Sequence, residues 1–191
     1  MTTLACIPAF NEGKVIGTLV KDTLQYVDRV IVCDDGSFDN TSIEAEKAGA
    51  KVITHKKNLG KGAAMRTLFN FTKNKNFDAM ITIDGDGQFF PKEIPKLITP
   101  IIDEKMDIVI GYRSNKDEMP YYRKIGNKFL DSMTNLASEL PFRDTQSGFR
   151  SYSKKAVSAI SFKTDGFGAD SEILIDASRK NLRIGEVGVK V

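Results

Sequence analysis

At 191 residues, 41% hydrophobic and 28% charged, the chain has the make-up of an ordinary globular domain, which excludes a disordered or fibrous polypeptide. Its 28 Lys and Arg exceed its 25 Asp and Glu by a formal charge of +3, too little to call for nucleic acid. No run of roughly 18 uncharged apolar residues occurs, and Met1-Thr2-Thr3 leads straight into an apolar segment without a charged leader; the expected location is cytoplasmic, with any membrane contact peripheral.

Short apolar, β-branched runs recur at 4–8, 30–33, 51–54, 79–83 and 107–110, with helical patterns between them. This alternation predicts an α/β fold around a mostly parallel sheet. The first helix follows "IPAFNEG" (7–13) and keeps Val15, Ile16, Leu19, Val20 and Leu24 on one face. A second opens on Thr41-Ser42-Ile43-Glu44, a capping-box pattern, and closes at Gly49. Pro91 starts a fourth, running to Lys105. Past Gly111 come a long helix over 121–139, a polar loop, the extended "GFRSYS", another helix and a final strand from Leu182. Cys6 and Cys33 lie in strands without CxxC spacing and read as buried apolar residues, not as a disulfide or zinc pair. His55, the only histidine, reads as surface or structural.

Polar motifs stand where the strands end, the edge at which open α/β sheets bind ligands. "AMITIDGDGQ" (79–88) places Asp84 and Asp86 there, two residues apart and pointing the same way, and adjacent anions call for a cation between them. "VCDDGSFDNT" (32–41) adds Asp34 or Asp35, suited to a base or ribose, with Asp39, Asn40 and Thr41 as turn and cap residues. "NLGKGAAMR" (58–66) lacks Walker spacing but offers backbone N–H groups at a helix start and the cation of Lys61. "GYR" (111–113) and "DTQSGFR" (144–150) bring Asp144, Gln146 and Ser147 together with Arg113 and Arg150, more polarity than a packing loop needs. Between them, Arg123, Lys124 and Lys128 form a basic helix edge suited to a phosphate. An EF-hand reading of DGDGQ fails, because Phe89 and Pro95 stand where Gly and Glu are required. The haloacid dehalogenase phosphatases also open on Asp-x-Asp-Gly, but Gln88 replaces their Thr or Val and the other acidic pair, Asp34-Asp35, lies upstream; they are the rival enzyme class. A non-catalytic nucleotide-binding module is the third reading.

In chain order, PAFNE, DDGSxDxT, NxGKGAA, DGDGQ, GxR and DTQSGFR resemble the motifs of family 2 glycosyltransferases, over Pro8 to about Glu186. They are most similar to the branch that moves a sugar from a nucleotide onto a polyprenyl (dolichyl) phosphate. The resemblance implies an A-type glycosyltransferase fold, Rossmann-like, with one catalytic domain over 1–191: a nucleotide-sugar half (1–112) and an acceptor half (113–191). It implies inverting transfer, with Pro8, Ala9, Phe10, Asn11, Glu12 and Asp35 lining the base and ribose and Lys61, Asp84 and Gly85 completing the nucleotide site. Asp84 would reach the ribose or the metal through water, and Asp86 and Gln88 would ligate Mg²⁺ or Mn²⁺ on the diphosphate. Asp86, Asp144 and Arg113 are its catalytic residues; Arg113, Arg123, Lys124 and Arg150 would hold the acceptor phosphate. A phosphate acceptor is already anionic, so Asp144 is expected to orient rather than to take a proton; with a glycan hydroxyl, the alternative acceptor, it is the base. The donor stays open among GDP-mannose, UDP-glucose and UDP-N-acetylglucosamine, with the product feeding protein or cell-surface glycosylation. Members of this branch commonly continue into membrane segments, whereas this sequence stops at Val191; either the native chain continues further, or it makes peripheral contact at the cytosolic face of a membrane through the basic helix and a partner.

Overall fold

The computed structural model describes residues 1–114, 142–166 and 168–191; the expected helix over 121–139, with Arg123, Lys124 and Lys128, lies outside the described residues. Among the described residues seven strands form one sheet: β1 Thr3–Ala9, β2 Arg29–Asp34, β3 Lys51–Thr54, β4 Ala79–Thr82, β5 Ile108–Arg113, β6 Arg150–Ser153 and β7 Ile184–Val189. Their order is β3-β2-β1-β4-β6-β5-β7, parallel throughout except for β6, which runs antiparallel to both β4 and β5. All five predicted runs are strands. The fifth extends beyond Ile110 to Arg113, because β7 continues to pair with it as far as Arg113 beside Val189.

Alternate residues of each strand feed opposite faces, so the apolar runs supply two cores. Ala5, Ile7, Val32, Ile81 and Val109 pack against α1 (Ile16–Thr23), α2 (Thr41–Lys47) and α4 (Ile94–Ile102). Leu4, Cys6, Ile31, Met80 and Tyr152 pack against α3 (Lys61–Lys73), α5 (Lys154–Ala159) and α6 (Ala169–Arg179). Cys6 and Cys33 are both buried and free, and burial pushes both thiols up, Cys33 to about 12.

Three local expectations change. The Thr41 hydroxyl does not cap α2; it accepts from the Glu12 N–H at 2.8 Å and donates to Asp39, tying the first and second strand loops together. The helix from Pro91 begins as a 3₁₀ turn, Pro91–Glu93, and stops at Ile102, shortly before Glu104 takes a left-handed φ of 54°. The one helix expected after "GFRSYS" is two, α5 and α6.

The reversal of β6 matters most for the site. Arg150 at its start stands beside Thr82 and Ile110, near the ends of β4 and β5. The polar segment 144–149 therefore enters at the same edge from which Asp84 and Arg113 emerge.

At the far edge Asp107 accepts from the Arg183 backbone N–H at 2.9 Å and from Nε and Nη2 at 3.0 and 3.1 Å, clamping the start of β5 to that of β7. These hydrogen bonds pull the Asp107 carboxyl from the usual 3.8 down to about 2. A folded-state value below the unfolded one gives stability that is present above pH 3.8 and lost as pH falls towards 2. Asp107→Asn should therefore melt below the wild type at neutral pH. The gap should close between pH 4 and 2 in thermal denaturation series, whereas a constant gap would dissociate the clamp from acid lability.

Candidate active site

Where β1, β2 and β4 end, their loops enclose a cleft of about 390 Å³. Pro8, Ala9, Phe10 and Glu12 line it from the first segment, Asp35 from the second, Asn58, Gly60 and Lys61 from the start of α3, and Asp84, Gly85 and Asp86 from the loop after β4. Every expected nucleotide-site residue except Asn11 is among them. Asn11, with a left-handed φ of 56°, turns away to the neighbouring loop, where its N–H donates to Ser37 Oγ at 2.8 Å and its Oδ1 accepts from the Phe38 N–H at 2.9 Å.

Asp35, not Asp34, faces the cleft. Asp34 is occupied by Ser37, with N–H and hydroxyl at 3.0 and 2.5 Å, and by the Ser42 hydroxyl. The Asp35 carboxylate accepts from the N–H groups of Leu59 at 3.0 Å and Gly60 at 2.7 Å and meets His55 Nδ1 at 2.6 Å. His55 Nε2 lies 2.8 Å from the Thr67 hydroxyl, so the ring is wedged under Asp35 and is structural. The turn before α3 is thus pinned from below. It is also pinned from the side: the N–H groups of Gly62 and Ala63 donate to the Asp165 carbonyl at 2.7 and 3.3 Å. Gly60 has φ 98°, and a Cβ there would overlap that same carbonyl. The backbone donors expected to face a phosphate at this helix start are spent inside the protein, which corrects that reading of the glycine-rich segment.

What the segment does present is Lys61. Its ammonium lies 2.8 Å from Asp84 Oδ1 and 3.0 Å from Asp170 Oδ2. Burial alone would lower its pKa, but Asp170 and Asp84 together hold it above the usual lysine range. Asp84 is pushed up by burial, against the pull of Lys61, with Asp170 and Asp86 adding to the rise. Glu12 is likewise raised, by burial first and then by Asp86 and Asp39. Burial is the larger cause for both groups, and the neighbouring carboxylates add to it. Asp86 and Gln88 are exposed, and Asp86 Oδ1 accepts from the Gln88 N–H at 3.0 Å, fixing the turn. Among the described residues no three His, Cys, Asp or Glu side chains gather as a ready-made metal cage. Two exposed oxygen-bearing side chains over a carboxylate-rich floor suit a hard cation that keeps water or substrate oxygens as its other ligands.

At the end of β5 Asp144 is 1% exposed and grips Arg113 in a bidentate pair, Nε at 2.8 Å and Nη2 at 3.1 Å, with the Arg113 guanidinium also 6.0 Å from the Phe89 ring centre. Arg150 was expected at the acceptor phosphate, and here the structure corrects the reading. It is fully buried, its Nη1 donating to the Asp170 carbonyl at 2.9 Å and its Nη2 to the Thr145 carbonyl at 2.7 Å, so it staples the 144–149 loop to α6. The loop is further held by Ser147 Oγ on the Gly111 carbonyl at 2.6 Å. Gly148 lies flat against Asp84: a Cβ there would overlap the carboxylate.

Sequence reasoning missed Gly148 and Asp170. Gly148 leaves no trace in one sequence, because the close approach is made by a residue far away in the chain. Asp170 did leave a signal: it shares the buried stripe of α6 with Ile173, Leu174 and Ala177, and an acid on an apolar face needs a cation behind it.

A carboxylate-lined cleft at the carboxyl edge of such a sheet stands where open α/β folds bind their ligands. The family model for glycosyl transferase family 2 matches residues 4–161, and the chain belongs to that family. It is a glycosyltransferase with a mixed α/β, A-type fold, and the phosphatase reading is set aside. The UDP-N-acetylglucosamine–dolichyl-phosphate N-acetylglucosaminyltransferase of Methanococcus voltae is 36% identical over 208 aligned residues, covering 96% of this chain and 83% of that protein. A dolichyl-phosphate hexose transferase of Haloferax volcanii is 28% identical, covering 94% and 78%. In fold, the chain superposes on glucosyl-3-phosphoglycerate synthase from Mycobacterium tuberculosis, solved with Mn²⁺, UDP and phosphoglyceric acid, with a TM-score of 0.79 at 23% identity over all of this chain and 69% of that one.

Gly148→Ala should force Asp84 and the loop apart. Overpacking of this kind costs about 1–3 kcal/mol, or about 2–12 °C in a chain of this size, readable by thermal denaturation; an unchanged melting temperature would mean that the loop yields freely.

Proposed function

We propose that this chain transfers a sugar from a nucleoside-diphosphate sugar, UDP-linked in the first instance, to a polyprenyl or dolichyl phosphate in an inverting, divalent-metal-dependent reaction. One observation carries the reading: among the described residues four carboxylates, Glu12, Asp35, Asp84 and Asp86, line the cleft against one ammonium, that of Lys61, which is already paired. A diphosphate enters such a cleft only together with a cation. The named activity of the Methanococcus relative supports a UDP sugar and a dolichyl phosphate, and the Mn²⁺ and UDP held by the fold neighbour support the metal.

In this reading Asp86 and Gln88 would hold Mg²⁺ or Mn²⁺, while Asp84 stays tied to Lys61 beside them. The metal supplies Lewis-acid stabilisation of the charge that grows on the leaving diphosphate. Phe10 and Asp35 bound the nucleoside end of the cleft, and Arg113, oriented by Asp144, presents a guanidinium towards the acceptor side. Asp144, buried in its bidentate pair, is placed to orient Arg113 and not to collect a proton, which favours an acceptor that is already anionic over a glycan hydroxyl. No described helix is long and apolar enough to cross a membrane.

Calorimetric titration with UDP, GDP, UDP-N-acetylglucosamine, UDP-glucose and GDP-mannose, each in Mn²⁺ and in EDTA, tests the reading. The expected result is Mn²⁺-dependent binding of the uridine ligands. Asp86→Ala, an exposed change that spares the fold, should lower the Mn²⁺-dependent affinity by at least about tenfold, the typical cost of disturbing a metal ligand's surroundings. Equal binding in Mn²⁺ and EDTA would sink the metal-dependent mechanism.

A further inference from the structure

Asp170 is 3% exposed in the first turn of α6 and does not line the cleft, yet it faces two cations. Lys61 Nζ is 3.0 Å from one carboxylate oxygen, and Arg150 Nη2 lies 3.8 Å from the other. Arg150 is committed to the Thr145 and Asp170 carbonyls and cannot follow a ligand. Lys61 is the one group of the three that also reaches the cleft, where Asp84 holds it from the opposite side at 2.8 Å. The trio Asp84, Lys61 and Asp170 therefore carries two negative charges and one positive, a net charge of −1. A lysine in a glycine-rich turn beside a nucleotide cleft would ordinarily meet the phosphates directly; here Asp84 and Asp170 already neutralise its charge before any ligand arrives, and Arg150, whose own charge faces Asp170, is held by carbonyls and stays out of the cleft.

We propose that Asp170 is the positioning residue that makes donor binding metal-dependent: it keeps the Lys61 charge neutralised inside the protein, so that the diphosphate must bring its own cation. The proposal rests on the nucleotide-sugar reading of the cleft. Its physical content is a charge count. Asn at position 170 keeps an oxygen acceptor for Lys61 and the same backbone carbonyl for Arg150, but takes the trio from −1 to zero. Lys61 is then available to a diphosphate without metal. One unit of charge at this range, in a partly solvated site, corresponds to about a tenfold change in affinity for an anion.

The test is calorimetry on the full chain with UDP and with inorganic pyrophosphate, each in Mn²⁺ and in EDTA, for wild type, Asp170→Asn and Asp170→Glu, with melting curves alongside. Asp170→Asn should bind both ligands about tenfold more tightly than wild type in EDTA and change little in Mn²⁺, so that the metal dependence shrinks. Asp170→Glu, which restores the charge, should restore the wild-type ratio. A purely structural role would weaken binding in both buffers together, and that result, or an unchanged ratio in Asp170→Asn, overturns the proposal. Should Asp170→Asn melt too low to titrate, Asp170→Glu decides: retention of the wild-type ratio supports the proposal and its loss overturns it. A wild type that binds no UDP in either buffer would remove the nucleotide-sugar reading. The pyrophosphate comparison in EDTA would still decide the role of Asp170, a gain in Asp170→Asn supporting it and no gain overturning it.

Discussion

The ammonium of Lys61, lodged between Asp84 and Asp170, ties together three parts of the chain: the start of α3, the end of β4 and the first turn of α6. Three charges this poorly hydrated are tolerated only when they satisfy one another. The surrounding structure is arranged to keep them in register. Asp35 and the Asp165 carbonyl take up the N–H groups on either side of Lys61, and Gly148 leaves room for the Asp84 carboxylate. The start of α3 is consequently held on both sides of Lys61, and the cleft beside it is lined by carboxylates.

The 144–150 segment repeats the same solution with different partners. Asp144 is sealed by Arg113, and Arg150 is sealed by two carbonyls and faced by Asp170. Asp170 thus belongs to both halves of the site, through Lys61 on one side and Arg150 on the other. The antiparallel entry of β6 makes this possible, because it delivers the 144–149 loop to the edge where the parallel strands end. A parallel β6 would have sent that loop to the opposite edge, away from Asp84.

Much of the site was legible one segment at a time. Strand-then-acid patterns located Asp84 and Asp86, since a carboxylate at the end of a buried strand has few other places to point, and left Asp34 and Asp35 as alternatives, of which the family resemblance singled out Asp35. Arg150 misled for the same reason that it drew notice. An arginine in a polar loop looks like a ligand for an anion, but its guanidinium can also satisfy backbone carbonyls of its own loop, and local sequence does not distinguish the two. The capping-box reading of Thr41 failed in a similar way, its hydroxyl being claimed by Glu12 and Asp39 instead of by its own helix.

The sequence by itself determined the layered α/β architecture and the family, because apolar periodicity and six ordered motifs are local properties that need no partner to be read. Tertiary structure alone decided how the charges pair. Which carboxylate neutralises Lys61, whether Arg150 faces water or carbonyls, and why position 148 must lack a side chain all depend on residues far apart in the chain coming within about 3 Å. Coulombic and steric terms at that range vary too steeply with distance for any sequence pattern to encode them.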